Sequence, residues 1–386
     1  MCLSAAGFDK VRALNVVAKA TDRAHRKAED PHIALIRFGK HMDPLSQAAI
    51  GAASAQSGSV AKNLRHALWI GALAGMAPDL DVLIQSNEDP LLALEYHRQF
   101  THSLLFIPIG SLICAAVFYP LVRKSLRFKT VWFLAALGYG SHGLLDACTT
   151  YGTQLIWPFT NVRIAWHNVS VIDPVFTLPL LGLAIACAVR HKKRLAVYGI
   201  CWALSYLSFG LVQHQRALDA AEHIVASRGH EPSRLEVKPG FANLLVWKVI
   251  YEYQNRYYVD AVRAGFIPTY FPGESAAKLS LGEDFPTLDL GSQQALDVER
   301  FRWFSDDWLA LDDADASLIV DMRYSQIPNM IKGLWGIRVH PNAETNTHAQ
   351  WKVQRTTGPQ ELQIFREQLL GIGARPLPDP ESPAKG

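Results

Sequence analysis

Long apolar runs occur only between Leu64 and Gln213. Ser103–Val122 (SLLFIPIGSLICAAVFYPLV) and Leu195–Gln213 (LAVYGICWALSYLSFGLVQ) contain no charged residue. Each has about the twenty residues needed to cross a hydrocarbon core of roughly 30 Å. Pro174–Val189 is a third run, slightly short but extended at its start by the mostly apolar Asn168–Ile172. Leu64–Ile84 and Val131–Thr149 reach spanning length but carry Asp79, Asp81, His142 and Asp146. The helices of a soluble core rarely stay uncharged on every face for this long. The pattern therefore predicts an α-helical polytopic membrane bundle of about five spans within residues 42–213.

After Gln213 the periodicity changes. His214–Gly229 reads as an amphipathic helix closed by Gly229. Alternating β-branched and aromatic segments follow at Leu244–Tyr251, Arg256–Val262, Ser317–Ser325 and Gly333–Val339. Pro359–Gly371 has the form of a last helix with Gly371 as its cap. Residues 214–374 are thus expected to form a soluble α+β domain with an antiparallel sheet, and the Pro-rich 375–386 a disordered tail. Residues 1–41 lack the apolar core of a cleavable signal peptide. With Met42 as an alternative start, they read as an N-terminal extension and are assigned no function.

Composition alone conceals this division. With 386 residues, 49% hydrophobic and 19% charged, and a mean hydropathy of +0.05, the averages are those of an ordinary globular protein. Five cysteines are too few for a disulfide scaffold, and a net charge of +3 is too small to indicate nucleic-acid binding. The distribution of lysine and arginine says more. Arg123, Lys124, Arg127 and Lys129 follow the second apolar run, and Arg190, Lys192, Lys193 and Arg194 follow the fourth. Lys62 and Arg65 precede the first. With five spans all three groups share one side, which the positive-inside rule makes the cytoplasm. The expected location is the inner (cytoplasmic) membrane, multi-pass, with the N-terminus inside and the C-terminal domain outside.

Ionisable residues within apolar runs are costly and point to function. Asp79 and Asp81 lie in APDLDVL; His97, Arg98 and His102 in YHRQFTHSLLF; His142 and Asp146 in GSHGLLDACTTYG. The orientation set by lysine and arginine brings all three groups to the same, outer, end. His142 and Asp146 are four apart, on one helical face, a natural bidentate arm for a metal. Alone, that pair reads more simply as a buried hydrogen bond; the additional histidines and aspartates at the same depth favour ligands. Imidazole mixed with carboxylate suits zinc first, with manganese or iron as alternatives.

Asp79 and Asp81 would point apart on a regular helix unless Pro78 disturbs it. Alternatively, one is a ligand and the other orients a ligand histidine. His97 and His102, five apart, do not share a helical face, but they can converge if His97 lies on the incoming loop and Thr101 caps the span with His102 in its first turn. Arg98 fits either an anion-binding guanidinium or an interfacial side chain. Asp173, before Pro174, either completes the site or caps a helix.

These motifs, with MDPLSQAAIGAA at Met42–Ala53 and VIDPVFTLPLL at Val171–Leu181, resemble the YdjM-type, LexA-binding, inner-membrane-associated metal-dependent hydrolase family over roughly Met42–Val189. The resemblance implies a multi-pass membrane protein with metal-dependent hydrolase activity. Its pattern falls on Asp79, Asp81, His97, Arg98, Thr101, His102, Ser103, His142 and Asp146. The chain departs from it at Gln99, where a small residue is common, and at Val82, where histidine often stands. The second departure removes one candidate ligand.

Two functions from different classes remain. In the first, a metal-activated water attacks an ester or phosphoester, such as a lipid, at the outer membrane face. His97, His102, His142, Asp146 and Asp79 are then the metal set, with Arg98, Asp81 and Asp173 in catalysis. In the second, the metal is structural and the C-terminal domain recognises a protein partner. The bilayer itself is the expected partner in both. Ligands gathered at one end argue against a midplane transport site.

Overall fold

The computed structural model describes residues 44–354 and 358–379; the 1–41 extension and residues 380–386 of the tail lie outside them. Pro44, at a position where its missing N–H costs nothing, opens α1 (Pro44–Gly58), and α2 (Leu64–Met76) follows. A 3₁₀ segment over Ala77–Leu83, with Pro78 near its start, extends α2. The bundle continues with α3 (Ile107–Val122), α4 (Phe128–Ala147), α5 (Pro174–Arg190) and α6 (Lys193–Ser227).

The five spans expected from the apolar pattern are corrected to two. Among the described residues, only the helical stretches Leu104–Val122 and Lys193–Ser227 are long and apolar enough to cross a membrane. The reason lies in helix length and composition. α2 has 13 residues, about 20 Å at 1.5 Å per residue, because Pro78 tightens the chain into a 3₁₀ path. α5 is apolar but only 17 residues long. α4 has 20 residues, but Gly138–Gly143 (GYGSHG) and Asp146 break its apolarity, and Gly138, Tyr139, His142, Gly143 and Asp146 are buried in the bundle.

α1 is the element that hydropathy conceals. Its sequence, PLSQAAIGAASAQSG, is rich in small residues, yet Ala49, Gly51, Ala52, Ala53 and Ala55 are buried. Small side chains let helices touch backbone to backbone. A β-carbon placed on Gly51 would lie 2.4 Å from the Gly71 carbonyl oxygen, and one on Gly138 would meet the same oxygen at 2.4 Å. α1, α2 and α4 therefore cross at glycine notches, with Ala55, Ala67, Ile70, Ala74, Val131 and Leu134 packed around them.

The C-terminal half of α6 leaves the bundle and becomes one layer of an α/β/β/α sandwich. Its Ala217, Ala220, Ala221 and Ile224 pack on Val237, Val249 and Tyr251 of the first sheet. That sheet runs β1 (Arg234–Pro239), β2 (Val246–Tyr253), β3 (Arg256–Arg263), β4 (Thr269–Phe271) and β10 (Arg375–Pro376), with β5 (Ser275–Ala277) also on β3. The second is β6 (Leu309–Asp312), β7 (Asp315–Asp321), β8 (Trp335–Arg338) and β9 (Gln350–Val353). All pairings are antiparallel. Ile250 and Val259 meet Leu318 and Val320 between the sheets. Val298 and Phe301 of α7 (Gln293–Phe304) cover Ile319 and Ile337 on the outer face. β2 is accordingly buried on both faces, as its near-continuous apolar run requires. Pro359–Leu370 forms α8, closed by Gly371 in the left-handed conformation (φ 77°).

The sandwich grips the loops that leave the bundle. Arg300 of α7 forks onto Asp89, at 3.0 and 2.7 Å, and also pairs with Glu95. The Tyr324 hydroxyl donates to the Thr150 carbonyl at 2.8 Å, and Tyr151 stacks on Tyr324 and Trp335.

Candidate metal centre

Four side chains converge from three elements. Asp79 comes from the 3₁₀ extension of α2, and His102 from a short 3₁₀ turn, Phe100–His102, just before the apolar run. His142 and Asp146 lie one turn apart on α4. The Nε2 atoms of His102 and His142 are 2.9 Å apart. Asp79 Oδ1 is 3.4 Å from each. Asp146 Oδ2 is 3.3 Å from the first and 3.7 Å from the second. The side chains of His102, His142 and Asp146 have no solvent exposure, and that of Asp79 has 15%.

Both imidazoles are oriented from behind. His142 Nδ1 donates to the Gly75 carbonyl at 2.5 Å. His102 Nδ1 lies 2.9 Å from Thr101 Oγ1 and 3.3 Å from Asp81 Oδ2. With each Nδ1–H engaged, neutral rings would bring two Nε2 lone pairs into contact. Asp79 Oδ1 and Asp146 Oδ2 are buried and have no well-formed hydrogen bond. Electron-rich atoms this close are stabilised by positive charge among them, whether a proton on His102 or a bound ion. Tetrahedral bonds of about 2.0–2.1 Å hold ligand atoms about 3.3–3.4 Å apart; three of the separations fall at 3.3–3.4 Å, and the other two lie on either side at 2.9 and 3.7 Å. The donor set therefore fits a divalent transition ion; the identity of the metal does not follow from it.

Asp81, 4% exposed, organises the loop around this cluster. It accepts from His97 Nδ1 at 2.8 Å, the Arg98 backbone N–H at 3.1 Å and Thr101 Oγ1 at 2.9 Å. Burial opposes its charge, but the His102 and His97 contacts outweigh that and hold the carboxyl far below the usual range. Burial likewise opposes a charge on His102, yet Asp146, Asp79 and Asp81 around it raise its pKa well above the ordinary value. A proton on His102 and a metal at Nε2 thus compete, and metal uptake must release that proton. Affinity measured against a chromophoric chelator should fall by about tenfold per pH unit below the His102 pKa. A flat profile from pH 8 to pH 5 would contradict this.

Arg98 is buried (2% exposed) and does not face a solvent-filled space. Its Nε lies 3.0 Å from Asp146 Oδ2, and its Nη1 donates to Thr149 Oγ1 at 3.0 Å. Its backbone adopts φ 65°, a conformation costly for a non-glycine residue. The N–H bond to Asp81 and a carbonyl bond from the Gln154 N–H hold it there. Asp173 caps α5, accepting from Val175 N and Phe176 N, and takes the Tyr206 hydroxyl at 2.8 Å. It shares none of the possible metal-holding groups.

Residues the motifs did not single out complete the centre. Gln47 of α1 donates to Asp146 Oδ1 at 2.8 Å, turning Oδ2 toward the histidines. A β-carbon on Gly143 would meet the His102 carbonyl oxygen at 2.3 Å, so this glycine lets the His102 turn lie against α4. A buried glutamine in an alanine-rich segment was the available signal for the first. Sequence offers none for the second, because the contact joins two helical turns about forty residues apart.

The helical bundle thus carries two helices long and apolar enough to cross a membrane and a buried cluster placed to hold a metal ion. Residues 42–217, somewhat under half of the chain, match the profile of the YdjM inner membrane protein family. The uncharacterized protein YfhP of Bacillus subtilis (strain 168) is 32% identical over 124 residues, 32% of this chain and 37% of that protein. The inner membrane protein YbcI of Escherichia coli (strain K12) is 32% identical over 108 residues, 27% of this chain and 61% of that protein. The chain thus spans less than two thirds of either relative. No solved structure matches it.

Proposed function

We propose that the protein is a membrane-bound metal-dependent hydrolase acting on an ester or phosphoester at the membrane face where the sandwich sits. The observation that carries this reading is a His–Asp pair at the rim of the metal cluster. His97 is 17% exposed at its side chain and is held through Nδ1 by the fully buried Asp81 carboxylate. Its ring centroid lies 5.6 Å from that of His102. A purely structural metal has no need of an oriented imidazole at its solvent edge; a hydrolase needs one to move protons.

Asp79, His102, His142 and Asp146 would hold the ion, and Gln47, Gly75, Thr101 and Asp81 would fix their orientation. A divalent transition ion, zinc foremost with manganese or iron as alternatives, would there acidify a water and polarise the ester oxygen. With Nδ1 engaged by Asp81, His97 Nε2 takes a proton from the attacking water and returns it to the leaving group. Arg98 keeps Asp146 ionised and in place through its contact with Oδ2, acting on the ligand rather than on substrate. Burial of His102, His142 and Asp146 confines water to the Asp79–His97 side.

The test is His97→Gln in the full-length protein. Hydrolysis of phosphate and carboxylic ester probes should fall by about 10²- to 10⁴-fold while metal content stays stoichiometric. Undiminished hydrolysis would remove His97 from the mechanism. Stoichiometric metal without hydrolysis by the wild type would favour a second reading, in which the metal braces a partner-recognising protein. The observation on that side is that four protein donors are enough to close a tetrahedral shell.

A further inference from the structure

A cavity of about 530 Å³ lies where the loop after α4 meets the two sheets, lined among others by Thr150, Thr160, Arg163, Lys238 and Arg323. Its charges are not all balanced. Lys238 pairs with Glu236, Arg323 with Asp321 at 2.7 Å, and Asp306 with Arg234 at 2.6 Å. Among the described residues no carboxylate pairs with Arg163. Its Nη2 donates to the Gly152 carbonyl at 3.2 Å, while Nε and Nη1 are buried without a hydrogen-bond partner. The guanidinium carbon sits 5.3 Å from the Phe304 ring centroid and 5.6 Å from that of Trp303, so aromatic faces hold the group in position.

Burial, with Arg98 and Arg323 nearby, pulls the Arg163 pKa down to about 9, which leaves it charged at neutral pH. A half-buried cation whose Nε and Nη1 are shielded from water and unused, beside like charges, is unfavourable without an anion. More donors are available around it. Lys238 uses one of its three N–H groups on Glu236, and the Thr150 and Thr160 hydroxyls share the lining.

The cavity is linked to the metal centre through Tyr151 and Arg98. Thr150 and Tyr151 form part of its wall, and the Arg98 guanidinium lies 5.0 Å from the Tyr151 ring centroid while contacting Asp146.

We propose that this cavity is the binding pocket for the phosphate group of an anionic phosphoester, with Arg163 as its principal cation. Donors on several walls suit the spread oxygens of a phosphate better than the planar pair of a carboxylate. A volume of about 530 Å³ leaves room for part of the esterified group. The phosphate so held is a recognition handle set apart from the reacting atoms, separated from the metal cluster by Tyr151 and Arg98. The inference deepens the hydrolase reading by naming its substrate class, and rests on that reading only for the word substrate.

The experiment is binding calorimetry on the full-length protein in detergent with a chelator present, so that no metal contributes. Glycerol 3-phosphate, short-chain phosphatidic acid and acetate serve as probes. Wild type should bind one or both phosphate probes at least tenfold more tightly than acetate. Arg163→Met should lose at least tenfold of that affinity, Arg163→Lys should lose less, and Gly182→Ala, whose added carbon meets no atom within 4 Å, should bind like wild type. Binding of both phosphate probes identifies the headgroup as sufficient; binding of phosphatidic acid alone identifies a lipid. Equal binding by wild type and Arg163→Met, acetate as tight as phosphate, or no binding at millimolar probe would overturn the pocket. Binding without hydrolysis would leave the pocket standing and remove the hydrolase reading, so the two fail separately.

Discussion

Purified His142→Ala protein should carry no stoichiometric metal and show no metal-dependent hydrolysis, while remaining folded. His142 contributes one of the two imidazole donors and is wholly buried, so water cannot replace it without entering a closed space. Losing even an orienting partner of a metal ligand typically costs about 10–100-fold in affinity, and losing a ligand from a four-donor set should cost more. The substitution also vacates the ring that Gly75 holds, but it removes the confrontation with His102 Nε2. The proton favoured on His102 can then pair with Asp79 and Asp146, which limits destabilisation. Metal quantitation by mass spectrometry after gel filtration gives the answer. Full metal occupancy in the variant would remove His142 from the ligand set.

Gly51→Val should prevent the bundle from assembling. The added β-carbon alone would lie 2.4 Å from the Gly71 carbonyl oxygen and 3.0 Å from the Gly75 Cα. Both are backbone atoms of α2, so no side chain can rotate away. Replacing a helical glycine gains a few tenths of a kcal/mol to about 1 kcal/mol in propensity, but overpacking against backbone costs about 3 kcal/mol or more. The clash also separates α1 from α2 at Gly75, whose carbonyl orients His142, so metal binding should fail with the fold. Gly182→Ala is the control, because no atom lies within 4 Å of its added carbon; it should be neutral or slightly stabilising. Fluorescence-detected size exclusion in detergent separates the two. A monodisperse Gly51→Val peak that retains metal would refute the glycine-notch account.

The two predictions probe features of unequal legibility. The His142–Asp146 arm could be read from a spacing of four, since both residues lie on one helix and helical periodicity places them. The spanning length and apolarity of Leu104–Val122 and Lys193–Ser227 were legible for the same reason, as composition and length act locally. The expectation of further spans failed where a local count met a tertiary fact. Pro78 turns the end of α2 into 3₁₀ helix, and α4 places its polar residues in a protein interior that hydropathy cannot distinguish from lipid. α1 went unread because glycine and alanine carry little hydropathy, and their packing value exists only when a facing glycine is present. His214–Gly229 was expected as a separate helix, but it continues α6 without a break; nothing in its polar pattern marks the junction as continuous.

By itself the sequence determined which residues have the chemistry to hold a metal, where two apolar helices run, and where antiparallel strands alternate. Only the tertiary structure decided that His102 and His142 confront each other at 2.9 Å and that Asp81 stands behind them as an organiser. It also decided that Gln47 turns Asp146 toward the centre and that Arg163 has no carboxylate partner among the described residues. Periodicity and composition act within a few turns of chain. Coordination and charge compensation depend on distances between atoms from separate elements, and those distances are set by how the helices and sheets close on one another.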